Sequence, residues 1–188
     1  MIILKTEKVN NMEHIEVKDY YGSNTPLTIP LHPKVTCITG INCSVLHNIV
    51  DYATTLKLYD KKIFTVHDND TDILMGYDKF FPDTLSVLNK LNIIFSLDEM
   101  YNKYFNRLIY ILEGIQYDYK TAFIELPEMG LCEEYLSELL DVVKKQSENK
   151  QIVLITYSEM VAACGNAIVT IKDNVIYRKY GFDKDNTL

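Results

Sequence analysis

The stretch Thr121-Ala122-Phe123-Ile124-Glu125-Leu126-Pro127-Glu128-Met129-Gly130-Leu131 decides how this chain folds. Its first six residues read as a buried-type strand, with Ala122-Phe123-Ile124 apolar without alternation, the pattern of a strand covered on both faces. Pro127 ends the run, because proline has no N–H for a ladder. Downstream, Tyr135, Leu136, Leu139, Leu140 and Val143 fall on one helical face. Gln151–Thr156 is a second buried-type strand. Buried strands alternating with helices require a parallel sheet.

Working outward, a short helix is expected near Glu159–Cys164. Strands at Ala167–Ile171 and Asn174–Lys179 flank an Asp173-Asn174 turn. Toward the N-terminus, Lys34–Thr39 is a β-branched run that ends at Gly40. Val45, Ile49, Val50, Ala53 and Leu56 then recur at helical spacing. Strand, loop and helix stand in the order that a phosphate-binding loop needs. Before them, Ile2, Leu4 and Val9 begin an edge strand, His14–Tyr20 alternates with period two, and Leu27–Leu31 is a short strand. In the middle, Ile63–Val66 reads as a strand, His67–Asp72 as an acidic turn and Ile73–Tyr77 as another short strand. Pro82-Asp83-Thr84 starts a helix with Asp or Thr as its cap. Ser96 and Glu99 have capping-box spacing and open a helical pattern that runs to about Gln116. The expectation is one mixed α/β domain over 1–188, its antiparallel part at the N-terminus.

Composition narrows the function. At 188 residues and 47% hydrophobic, the chain can bury a continuous core without metal or disulfide staples. A net charge of −7 and a pI near 5.1 argue against attraction of the whole surface to nucleic acid or anionic lipid. The first residues lack the apolar core and cleavage site of a signal peptide, and no stretch has the ~20 apolar residues of a membrane span. A cytoplasmic location is expected. Cys37, Cys43, Cys132 and Cys164 show no C-x-x-C spacing and read as reduced, mostly buried thiols. His14, His32, His47 and His67 are scattered, without metal-ligand spacing, so no metal is expected.

The order and spacing of the motifs resemble an ABC-type ATPase domain, of the class that includes transporter nucleotide-binding domains and SMC, RecF-like and overcoming-lysogeny-defect ATPases. The resemblance covers nearly the whole chain and implies a P-loop fold with a reduced helical lobe at 82–116. An active member has a G-x-x-G-x-G-K-[ST] loop, whose glycines let backbone N–H groups wrap phosphates and whose lysine neutralises them. Here the stretch reads Gly40-Ile41-Asn42-Cys43-Ser44-Val45-Leu46-His47. Gly40 and Asn42 match the family's I-T-G-x-N. Cys43 and Val45 replace glycines, Leu46 replaces the lysine and His47 the magnesium-binding hydroxyl. Leucine cannot pair with a phosphate, and a β-branched valine disfavours the positive φ that glycine allows.

The opening stretch resembles the family's apolar strand followed by D-E-P-E-x-G-L. Pro127, Glu128, Gly130 and Leu131 match. Glu125 replaces the magnesium-binding aspartate, and Leu126 replaces the glutamate that polarises the attacking water. The switch histidine of T-H-S is Tyr157 in Thr156-Tyr157-Ser158. The signature S-x-G-E reads Ser96-Leu97-Asp98-Glu99, with Asp98 a carboxylate where a triphosphate would approach. A weaker alignment puts Asp78 in the place of the Q-loop glutamine.

The family builds its ATP site between two subunits, one giving the phosphate loop and the other the signature. Both halves are eroded here. The resemblance therefore implies a pseudo-ATPase without catalytic residues or cofactor. It would act as a protein-binding regulatory, scaffolding or decoy module, its partner a second copy or an active ABC-type ATPase. Val45, Leu46, Asp98 and Leu126 are the residues expected at that interface. The alternatives are a divergent ATPase, with Glu125 holding a metal and Glu128, His47 or Tyr157 acting nearby, and an SMC-like nucleic-acid-associated protein using Lys144, Lys145 and Lys150. The acidic balance counts against the last.

Overall fold

The computed structural model describes residues 14–17, 27–40, 43–57, 62–68, 80–91, 103–172 and 175–180. For 43–47, 56–57, 103, 175 and 177–180 the description is of the backbone alone. The elements are β1 (His14–Val17), β2 (Leu27–Pro30), β3 (Val35–Gly40), α1 (Cys43–Lys57), β4 (Ile63–Val66), α2 (Pro82–Lys90) and α3 (Lys103–Gln116). They continue with β5 (Thr121–Glu125), α4 (Glu133–Gln146), β6 (Gln151–Ile155), α5 (Glu159–Ala162), β7 (Ala167–Lys172) and β8 (Val175–Tyr180).

The main sheet has the order β4-β5-β6-β3-β7-β8. Its first five strands are mutually parallel, and β8 runs antiparallel to β7. The contiguous apolar runs of β5 and β6 are thus interior strands, as their sequences require. β1 and β2 pair antiparallel as a separate small sheet.

Alternation along the strands divides the core in two. Val35 and Cys37 of β3, Ala122 and Ile124 of β5, and Ile152 and Leu154 of β6 face a cluster built with Leu108, Ile111 and Leu112 of α3 and Leu136, Leu139 and Leu140 of α4. Ile38, Phe123, Val153 and Ile155 face the opposite way. They pack with Ile49, Val50 and Ala53 of α1 and with Ile15, Val17, Leu27 and Ile29 of the small sheet. The sheet is therefore the middle of three layers.

Some expectations fall outside the described residues, and others are corrected by the structure. The strand read over His14–Tyr20 is described only to Val17, with 18–20 outside the described residues. The helix read from Ser96 begins, among the described residues, at Lys103. The edge strand at Ile2–Val9, the strand at Ile73–Tyr77 and the Asp173-Asn174 turn lie outside them. The cap of α2 is not Asp83 or Thr84. Phe81 is the N-cap, without a side-chain cap, and Pro82 opens the first turn. Its free amides are met from α3 instead: Phe81 N–H donates to Glu113 Oε1 (3.0 Å) and Asp83 N–H to Gln116 Oε1 (3.2 Å). Cys132 is exposed rather than buried, because it is the N-cap of α4 at the end of a surface loop. Cys37 and Cys164 are buried free thiols.

Candidate functional site at the carboxyl edge of the sheet

β6 separates β3 from β5, and all three run parallel, so their carboxyl ends share one edge. Ile155 of β6 is in register with Ile38 of β3 and with Glu125 of β5. Gly40, Thr156-Tyr157 and Glu125-Leu126 therefore come together where open α/β sheets hold ligands. Asn42, Ser96, Asp98 and Glu99, with Asp78, lie outside the described residues. Cys43, Ser44, Val45, Leu46 and His47 form the first turns of α1 in backbone only.

Glu125, the last residue of β5, is buried. Its Oε2 accepts the Asp68 N–H (3.0 Å) and lies 4.0 Å from His67 Nδ1. His67 also stands 3.8 Å from Asp51 Oδ1 and shares a 2.8 Å hydrogen bond with Thr54 Oγ1. This carboxylate thus binds the loop after β4. Arg107 of α3, 1% exposed, reaches the same place. Its guanidinium donates to the carbonyls of His67 and Glu125, and to that of Leu126 at 3.5 Å. It pins the ends of β4 and β5 to the helical layer. The sequence reading missed Arg107. Its one signal is a cation between apolar residues of an otherwise buried helical face.

Leu126 follows with φ +45, a conformation uncommon for a branched side chain, and its N–H donates to Ile155 O at 2.7 Å. The chain then turns: Met129 N–H donates to Leu126 O (2.9 Å) and Leu131 N–H to Glu128 O (3.1 Å). Gly130 has φ +72, and a Cβ there would lie 1.9 Å from Tyr104 Cδ1, so position 130 requires glycine twice over. Within this turn Glu128 Oε1 accepts the Thr156 hydroxyl (2.7 Å) and the Tyr157 N–H (3.0 Å). Its Oε2 is buried without a hydrogen-bond partner among the described residues. Thr156 Oγ1 also accepts the Ser158 N–H, and Ser158 caps α5.

Beside Tyr157 is an open pocket of about 320 Å³ at the ends of β3, β6 and β7, lined by residues that include Thr39, Gly40, Thr156, Tyr157, Glu159 and Thr170. The Thr39 and Thr170 hydroxyls are hydrogen-bonded at 3.1 Å. Among the described residues, no Lys, Arg or His lines it. Among the described residues no group of three or more His, Cys, Asp or Glu is arranged to hold a metal ion. No described helix is long and apolar enough to cross a membrane.

Solved structures match this fold. An SMC head, solved bound to the C-winged helix domain of ScpA, aligns with a TM-score of 0.68 at 12% identity, over 95% of this chain and 100% of that one. The ATP-binding subunit of an ABC transporter aligns with a TM-score of 0.59 at 14% identity, over 87% of this chain and 88% of its own. A dimeric ATP-binding cassette in a post-hydrolysis state, bound to ADP and Pi, gives 0.57 at 13% identity, over 82% and 88%. No family model and no curated sequence matches the chain. The chain has an ABC-ATPase-like P-loop fold, a mixed α/β sheet with a small antiparallel sheet. At these identities the likeness establishes the fold alone.

Proposed function

We propose that the chain is a catalytically inactive ABC-type pseudo-ATPase, a protein-binding regulatory, scaffolding or decoy module that pairs through the face where related folds hold nucleotide. The observation that carries this reading is Leu126. It stands at the end of β5, where the resemblance expects the water-polarising glutamate, and its side chain has neither a lone pair nor an exchangeable proton. Two features support it. Glu125 is engaged with the Asp68 amide, and no cationic side chain among the described residues lines the pocket beside Gly40 and Tyr157.

The second reading, a divergent ATPase, draws on His67, just after β4, which lies 3.8 Å from the Asp51 carboxylate of α1 and 4.0 Å from that of Glu125. Phosphate release with millimolar ATP and magnesium separates the two. The pseudo-ATPase reading expects the rate of buffer alone. Release above that rate, abolished by Glu125→Gln, overturns it.

A further inference from the structure

The turn Leu31-His32-Pro33-Lys34 carries the chain from β2 of the small sheet into β3 of the main sheet. Three hydrogen bonds of His32 hold it. The His32 backbone N–H donates to Thr36 Oγ1 of β3 (2.7 Å), and its carbonyl accepts the side-chain amide of Gln151 in β6 (3.1 Å). Its ring Nδ1 accepts the Lys34 N–H at 3.1 Å. Pro33 between them has no N–H to offer and biases His32 toward extended backbone. One residue thus ties the turn to two strands of the main sheet and closes the turn on itself.

The ring bond fixes a protonation state. A backbone N–H can only donate, so Nδ1 must present a lone pair, and the neutral ring keeps its proton on Nε2. A second proton would replace that lone pair with an N–H facing the Lys34 N–H, and the bond would be lost. The surroundings also oppose the charge. His32 is half-buried, and burial first, then the Lys34 ammonium, hold its pKa below the ordinary 6.5. Lys34 Nζ is itself paired with both carboxylate oxygens of Glu148, just beyond α4, at 2.8 Å. Thr36 and Gln151, which meet His32 from β3 and β6, are uncharged.

We propose that His32 is a proton-controlled joint: neutral, it fastens the turn that seats the small sheet on the main sheet, and protonated, it releases the Lys34 amide and frees that turn. Neither nucleotide nor a protein partner enters this device. In the unfolded chain the ring takes up its proton near pH 6.5, and in the folded chain only at lower pH. Its contribution to stability is therefore complete well above pH 6.5 and is lost as pH falls from there through the lower folded value. Histidine is the side chain whose ordinary titration places such a joint near physiological pH.

The test is an NMR titration of the full chain from about pH 8 to about pH 5, paired with urea unfolding at both ends for the parent, His32→Asn and His32→Ala. The His32 ring should titrate below 6.5, and the Lys34 amide resonance should move with the same midpoint. Exchange protection of the His32 and Lys34 amides should fall with it, while that of Val153 in β6 is kept. Asparagine offers an Oδ1 to the amide two residues on without titrating, so His32→Asn should lose less stability on acidification than the parent. His32→Ala has no acceptor there, so it should be less stable than the parent at the upper pH and share the flatter profile. Should His32→Ala fail to fold, the ring titration and His32→Asn decide. A ring that titrates at 6.5 or above, a Lys34 amide indifferent to it, or an Asn variant that loses as much stability as the parent overturns the proposal.

Discussion

Glu128 Oε1 accepts the backbone N–H of Tyr157 at 3.0 Å, and the same oxygen accepts the Thr156 hydroxyl at 2.7 Å. The turn after β5 and the end of β6 are therefore one unit, and Tyr157 is presented outward from it. Glu128→Ala removes an acceptor shared by two donors and should lower stability by about 1–3 kcal/mol. Glu128→Gln retains an acceptor oxygen and should stay within about 1 kcal/mol of the parent. Urea unfolding with an unchanged m-value measures both.

Arg107 bridges the carbonyls at the ends of β4 and β5 from inside the fold. Arg107→Met fills most of the volume but leaves those carbonyls without their donor, and should lower stability by about 3 kcal/mol or more. Arg107→Lys should recover little of it, since one ammonium lacks the planar fork that reaches both carbonyls. Urea unfolding of the two variants checks this. A Lys variant as stable as the parent contradicts the bridging role.

Gly130 combines φ +72 with the Tyr104 ring directly over it. Gly130→Ala should cost about 1–2 kcal/mol from the backbone alone and more from the clash. Adding Tyr104→Ala should restore the steric part. The double-mutant cycle then yields a favourable coupling, whereas additive losses would mean that the ring does not press on this turn.

Burial pushes the Cys37 thiol from the ordinary value of 9.0 up to about 12, with Cys164 and Glu128 adding to the rise while the Gly165 N–H opposes it. A group whose pKa is raised on folding holds its proton more tightly in the native state. Its contribution is complete below pH 9 and is lost as pH climbs toward 12. The gap corresponds to about 4 kcal/mol at its full extent. Unfolding free energy should therefore fall more steeply between pH 9 and 11 in the parent than in Cys37→Ala, despite the variant's lower stability at neutral pH. Parallel pH profiles would contradict this.

What could be read from the sequence follows from burial. β5 and β6 are interior strands, so their apolar runs announce a parallel sheet. The face of α4 is visible because Leu136, Leu139, Leu140 and Val143 all point into one core. Given the order β3-β6-β5, the motif residues Gly40, Glu125, Leu126, Glu128 and Tyr157 had to reach one edge. What escaped the sequence is tertiary. Glu113 meets the first amide of α2 from another helix, 32 residues away. Arg107 sits among apolar residues because its partners are carbonyls, which no side-chain pattern reveals. The positive φ of Leu126, which a branched side chain rarely adopts, accompanies its bond to Ile155 O and has no signal in the sequence.

Thermal unfolding with and without ATP and magnesium at millimolar concentration tests the central claim most directly. A ligand at a hundred times its Kd stabilises the native state by ~2.7 kcal/mol, which a melting curve resolves. The pseudo-ATPase account predicts superimposable curves. A reproducible upward shift with ATP and magnesium, absent with magnesium alone, would contradict it.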